Sequence, residues 1–148
     1  MVFRVDAVRA RLQRLEQVMA HLQELAQLDR PTLRASWRDL SAAERQLQLG
    51  AEVLFDIGTH ILVAQYGVSP EGHEDVLEQL AQQGIMDEDL RVRLKGLGGF
   101  RNLLVHDYLR IDPEKVAESV SRAPRDFGDF SRAIQRWLGD RDEKSRSG

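Results

Sequence analysis

The chain has 148 residues, a net charge of −3, 42% hydrophobic and 30% charged residues, which suits one domain with a genuine core. That balance excludes the strongly basic composition of a nucleic-acid-coating protein but not a local basic patch. With no cysteine, disulfide frameworks, zinc–thiolate sites, iron–sulfur clusters and cysteine nucleophiles all drop out, as fits a cytoplasmic protein.

The first residues, MVFRVDAVRARLQRLEQ, contain no apolar core of a secretory signal. No later run approaches the ~18 apolar residues of a membrane span, so no membrane partner is expected. Val5, Val8, Leu12, Leu15, Met19, Leu22 and Ala26 alternate three and four apart, a continuous helical stripe. Leu25 and Leu28 widen it as in a bundle, and Asp29-Arg30-Pro31 ends it. The type of the segment TLRASWRDL is left open by its pattern. Ser41-Ala42-Ala43-Glu44 then reads as a capping box opening a helix to about Tyr66.

Gly67, Pro70 and Gly72 break the chain before a shorter helix from about His73 to Gln83. A further helix from near Asp87 carries Leu90, Leu94 and Leu97 into the stretch FRNLLVHDYL, residues 100 to 109. Asp112-Pro113-Glu114 is another start signal, with aspartate as N-cap and proline at the first helical position. Phe127, Phe130, Ile134, Trp137 and Leu138 form the last helical pattern. Residues 139–148, without an apolar anchor, are expected to be disordered. The expected architecture is an all-α, up-and-down helical bundle over residues 1–138.

In FRNLLVHDYL the helical turn of about 100° per residue would bring Arg101 and Tyr108 onto one face, with Asn102 and His106 on the adjacent one. Arginine grips phosphate oxygens and stabilises the added charge of a phosphoryl transition state. Imidazole exchanges protons near neutrality, and asparagine can orient it or a substrate oxygen. Such a set can cleave RNA without a metal, although an arginine and a histidine this close also occur by chance. Upstream, Arg91, Arg93 and Lys95 form with Arg101 either a phosphate-facing strip or an ordinary exposed helix edge. Gly96, Gly98 and Gly99 either admit another backbone closely or mark a kink between helices.

Arg101-Asn-Leu-Leu-Val-His106-Asp-Tyr108 resembles R-x-x-x-x-H-x-Y, the motif of the HEPN superfamily in its HepT-like toxin branch. Gly99-Phe100 before it, Ile111-Asp112-Pro113-Glu114 after it and AEVLFDIGTHIL in the earlier helix resemble the family as well. The likeness covers roughly residues 5 to 138. It implies a homodimer whose motif helices face each other, and a metal-independent endoribonuclease with no cofactor. Arg101 and His106 would be catalytic and Asn102 a polar helper. It also implies a type VII-like toxin–antitoxin pair, in which a minimal nucleotidyltransferase antitoxin attaches AMP to Tyr108. The runner-up is a non-catalytic HEPN module that docks a nucleotidyltransferase or nucleotide.

Glu52, Asp56 and His60 recur every four residues and so share a face. In the family an acidic residue on that helix approaches the catalytic arginine, so Glu52 and Asp56 are expected to support Arg101. A solvated face and a metal site are the alternatives. His21 and His73 are expected at the surface, and Trp37 and Trp137 in the core or an interface.

Overall fold

The structure is a computed structural model, and it describes residues 1–147. Seven α-helices and one 3₁₀ turn make up the fold, with no strand among the described residues. They are α1 (Val5–Leu25), α2 (Arg30–Ala35), α3 (Trp37–Tyr66), α4 (His73–Gln82), α5 (Glu88–Leu94), α6 (Leu97–His106) and α7 (Pro113–Ser147). The 3₁₀ turn, Tyr108–Arg110, lies between α6 and α7.

The three long helices α1, α3 and α7 pack on one another and enclose the core. The leucine stripe of α1 turns inward as its spacing requires, burying Val8, Leu12, Leu15, Val18 and Leu22. Ala26 lies beyond the helix and is exposed. From α7, Phe127, Phe130 and Ile134 are buried against α1 and α3. The short helices cover the remaining flank, α4 and α6 against α3, and α5 against α4 and α7. Helix α3 has an 18-residue window apolar enough to cross a membrane by length and composition, but half of that window is buried inside the bundle.

Several helix boundaries differ from the sequence expectation. Helix α3 starts at Trp37, not at a Ser41 capping box: Ser36 Oγ accepts the Asp39 amide at 3.1 Å, and Ser41 lies within the helix. Both Ser36-x-x-Asp39 and Ser41-x-x-Glu44 satisfy the local cap pattern, and the helix takes the earlier one. The segment TLRASWRDL, left open by its pattern, divides between α2, whose N-cap Asp29 accepts the Thr32 amide at 2.8 Å, and the first turn of α3.

The tail expected to be disordered continues α7 through Ser147, while Gly148 lies outside the described residues. Contacts from far along the chain hold its first turns. Arg141 lies 4.4 Å over the Phe3 ring and donates to Gln65 at 3.3 Å, and Asp142 pairs with Arg9 at 3.9 Å. Asp87 and Asp112 start helices as read: Asp87 accepts the Leu90 amide at 2.8 Å, and Asp112 accepts the Glu114 amide at 3.0 Å just ahead of Pro113.

Candidate active site

The site begins with a break in the helix expected to run from Asp87 into the motif. Gly96 adopts φ +85, a left-handed conformation that costs glycine nothing, and its amide donates to Glu74 at 2.5 Å. The chain therefore turns sharply between α5 and α6. Two residues on, Gly98 is buried against His73, and a methyl at that position would overlap the imidazole. His73 also stacks on Phe55 at 4.4 Å, so it packs between helices and is not the surface residue expected. Of the two readings of the glycines the kink holds at Gly96; what Gly98 admits is the His73 side chain and not another backbone.

Helix α6 is thereby pinned to α3 and α4 and presents its far end outward. Of the motif, Arg101 lies midway along this ten-residue helix and His106 is its last residue. Arg101 donates through Nη2 to Glu52 Oε1 of α3 at 3.1 Å, and through Nη1 to Asn102 Oδ1 at 3.1 Å. Glu52 is itself held by Gln48 Nε2 at 3.2 Å. A guanidinium has five N–H donors in a planar fork, so these contacts fix its plane and leave donors free. His106 is the last residue of α6 and is exposed. Asn102 lies one turn before it on the same face.

Tyr108 departs from its expected position on the face of Arg101. The helix ends at His106, Asp107 has φ −134 and ψ 51, and Tyr108 starts the 3₁₀ turn, 72% exposed. Leu109 beside it is 87% exposed. Helical arithmetic fails here because only regular backbone carries the 100° step.

The other expected residues separate. Asp56 is exposed and makes no hydrogen bond or ion pair among the described residues, so it does not support Arg101 as Glu52 does. His60 accepts the Arg4 amide at Nε2, 3.1 Å away, and stacks on Phe3 at 5.5 Å. Burial, then the charges of Arg11 and Arg4, hold its imidazole below the usual histidine value, in keeping with that acceptor role. Glu52, Asp56 and His60 thus share a helix face without converging, and among the described residues no three His, Asp or Glu side chains are grouped to hold a metal ion.

The basic strip also divides. Arg91 pairs with Glu88 at 2.5 Å within its own helix. Arg93 is enclosed by Asp89 at 3.0 Å, Asp126 at 2.6 Å and Asp129 at 2.8 Å, which clamps α5 to α7. Lys95 alone of the three has no ion pair among the described residues. Trp37 is 77% exposed and belongs to no core, whereas Trp137 is half-buried and donates to the Tyr66 hydroxyl at 2.8 Å. His21 is exposed as expected, 3.1 Å from Gln46. Gln48 was missed by the sequence reading, although its place one turn before Glu52 could have suggested the contact.

The all-helical bundle thus carries Arg101 and His106 on one short, pinned helix, with Tyr108 just past its outward end. Comparison with known proteins supplies the family. The chain belongs to the family described as Ribonuclease HepT-like, which matches residues 15–134. Membership places it among ribonucleases.

The chain is 29% identical over 132 residues to the tRNA nuclease HepT of Aphanizomenon flos-aquae, covering 88% of this chain and 89% of the relative. It is 33% identical over 89 residues to the mRNA nuclease HepT of Shewanella oneidensis, 60% of this chain and 67% of that one. Its fold is similar, with a TM-score of 0.80 at 24% identity, to the tri-AMPylated HEPN toxin of Shewanella oneidensis solved in complex with MNT antitoxin. That likeness covers 90% of this chain and 99% of the other.

Proposed function

We propose that the protein is the endoribonuclease toxin of a toxin–antitoxin pair, cutting RNA without a metal through Arg101 and His106. The carrying observation is the state of Arg101. Its plane is fixed by Glu52 and Asn102, its remaining donors are free, and it lies on the same short helix as the exposed His106.

In this reading His106 takes the proton of a ribose 2′-hydroxyl, and the freed oxygen attacks the adjacent phosphorus. The bond to the 5′-oxygen breaks, and that oxygen takes a proton from water. A 2′,3′-cyclic phosphate and a 5′-hydroxyl result. Arg101 holds the non-bridging oxygens, where charge grows in the transition state. Asn102 and Glu52 keep the guanidinium in its plane.

Tyr108 is the AMP acceptor for a minimal nucleotidyltransferase antitoxin. Its hydroxyl belongs to a 72% exposed side chain just past the helix end, which a partner's active site can reach. An adenylate there adds negative charge and bulk beside the phosphate site and so opposes RNA binding. A homodimer pairing these exposed helix ends would cover Leu109 and leave the Tyr108 hydroxyl accessible at its rim.

The test is cleavage of end-labelled RNA in EDTA by wild type, Arg101→Ala and His106→Ala, with Tyr108 confirmed unmodified by mass. Wild-type cleavage lost by about 10²–10⁴-fold in each variant is the expected result. Equal residual cutting in all three, or none by folded wild type, overturns the catalytic reading.

A further inference from the structure

Lys95, the member of the expected basic strip that holds no carboxylate, lines a cavity of about 200 Å³ between the α5–α6 junction and α7. Lys115 and Arg122 of α7 line the same cavity. Lys115 is also without an ion pair among the described residues. Arg122 reaches only Glu118, at 3.7 Å in an exposed pair that contributes little. The lining's apolar part includes Leu97, Phe100 and Phe127. Its one acidic member, Asp126, is already neutralised by Arg93 at 2.6 Å. Three cations therefore surround an aromatic floor with no free carboxylate among the lining residues.

The volume lies below the ~300–1,000 Å³ of sites for drug-sized ligands, so it admits about one ring system. An aromatic face stacks a base of any sequence, and lysine and arginine take its phosphate. Phe100 directly precedes Arg101 on α6, about 1.5 Å along the axis and about 100° around it, so the cavity and Arg101 lie on neighbouring faces of one short helix.

We propose that this cavity binds one nucleotide of the RNA substrate flanking the scissile bond. Phe100 stacks the base, and Lys95, Lys115 and Arg122 hold the phosphate. The assignment rests on the ribonuclease reading and deepens it. It also gives this chain, despite its acidity, a localised grip on RNA outside the catalytic pair.

The experiment measures binding of a fluorescent single-stranded RNA to the His106→Ala protein across a salt series. The partner variant adds Lys115→Glu and Arg122→Glu. A charge-matched control adds Arg9→Glu and Arg14→Glu on α1, and a fourth protein adds Phe100→Leu. Melting curves confirm that each is folded. The pocket pair is expected to raise Kd at least tenfold and flatten the salt slope by about 0.7, the value for one single-strand phosphate contact. Phe100→Leu raises Kd less, and the control changes it less than twofold.

Equal weakening by pocket and control pairs, or no RNA binding at all, overturns the proposal. So does a pocket pair that abolishes binding of free AMP while leaving RNA affinity intact, which would assign the cavity to a free nucleotide. Wild-type cleavage in EDTA separates the two readings. Pocket-dependent binding without cleavage sinks only the nuclease, and cleavage with pocket-independent binding sinks only the nucleotide site.

Discussion

Arg93 and Arg101 occupy successive short helices, and their side chains are almost equally covered, 23% and 25% exposed. Burial does not distinguish them; their partners do. Arg93 meets three carboxylates, so every edge of its guanidinium is engaged. Arg101 meets one carboxylate and one amide, and part of its fork faces outward. Although burial opposes the charge of Arg93, the hydrogen bonds it donates to Asp126, Asp129 and Asp89 raise its pKa above the ordinary arginine value. An arginine saturated this way holds helices together. One fixed in plane but left with free donors can receive a phosphate.

The largest expected effect tests that division on the saturated side. Arg93→Ala leaves Asp126 and Asp129, both largely covered, without their main counter-charge. Breaking such a pair costs several kcal/mol when fully buried, so about 2–4 kcal/mol is expected here. That corresponds to a Tm lower by about 5–15 °C, with kcat for RNA cleavage per folded molecule unchanged. If melting were unaffected while RNA affinity fell, Arg93 would belong to a phosphate-facing strip and the division would fail.

Acid titration probes the same clamp less severely. Burial pushes the Asp129 carboxyl up, but the guanidiniums of Arg132 and Arg93 outweigh it and hold the group below the usual carboxylate range. Its stabilising contribution is complete above the unfolded carboxyl value near ~4 and is lost as pH falls through the lower folded one. Urea midpoints measured from pH 6 downward should therefore decline below about pH 4. The decline from Asp129 should be smaller than the cost of Arg93→Ala, since the substitution removes every partner at once. In Arg93→Ala it should be shallower than in wild type, because Asp129 then keeps only Arg132 and the edge of Arg125.

What the sequence could and could not reveal follows the same line between local and distant causes. Asp87 and Asp112–Pro113 cap helices through atoms two or three residues away, so their roles are visible in a short window. The α1 stripe is legible because one period covers the whole element. The fate of Arg93 is not, since its partners Asp126 and Asp129 lie more than thirty residues away on another helix. The helical tail depends on Phe3 and Arg9 at the opposite end of the chain. Tyr108 was misplaced for a different reason: the chain leaves helical geometry at Asp107, and no residue there forbids another turn. Glu52 was expected beside Arg101 because of the family likeness, whereas its spacing with Asp56 and His60 is shared by all three and selects none.

The smallest expected effect concerns Glu52 and sharpens the comparison on its open side. Glu52 orients Arg101, and its negative charge also offsets the attraction that Arg101 has for phosphate. Glu52→Gln keeps the shape and one acceptor but removes the charge. The two consequences oppose each other: a looser guanidinium lowers kcat, and a more positive site strengthens ground-state RNA binding. We expect kcat to fall about tenfold, or ~1.4 kcal/mol, with KM unchanged or lower and melting little altered. Steady-state kinetics on a defined RNA read the two separately. A rise in KM with kcat intact would mean that Glu52 serves only the stability of the α3–α6 contact. In that case Arg101, like Arg93, would be an arginine whose carboxylate partner holds helices together.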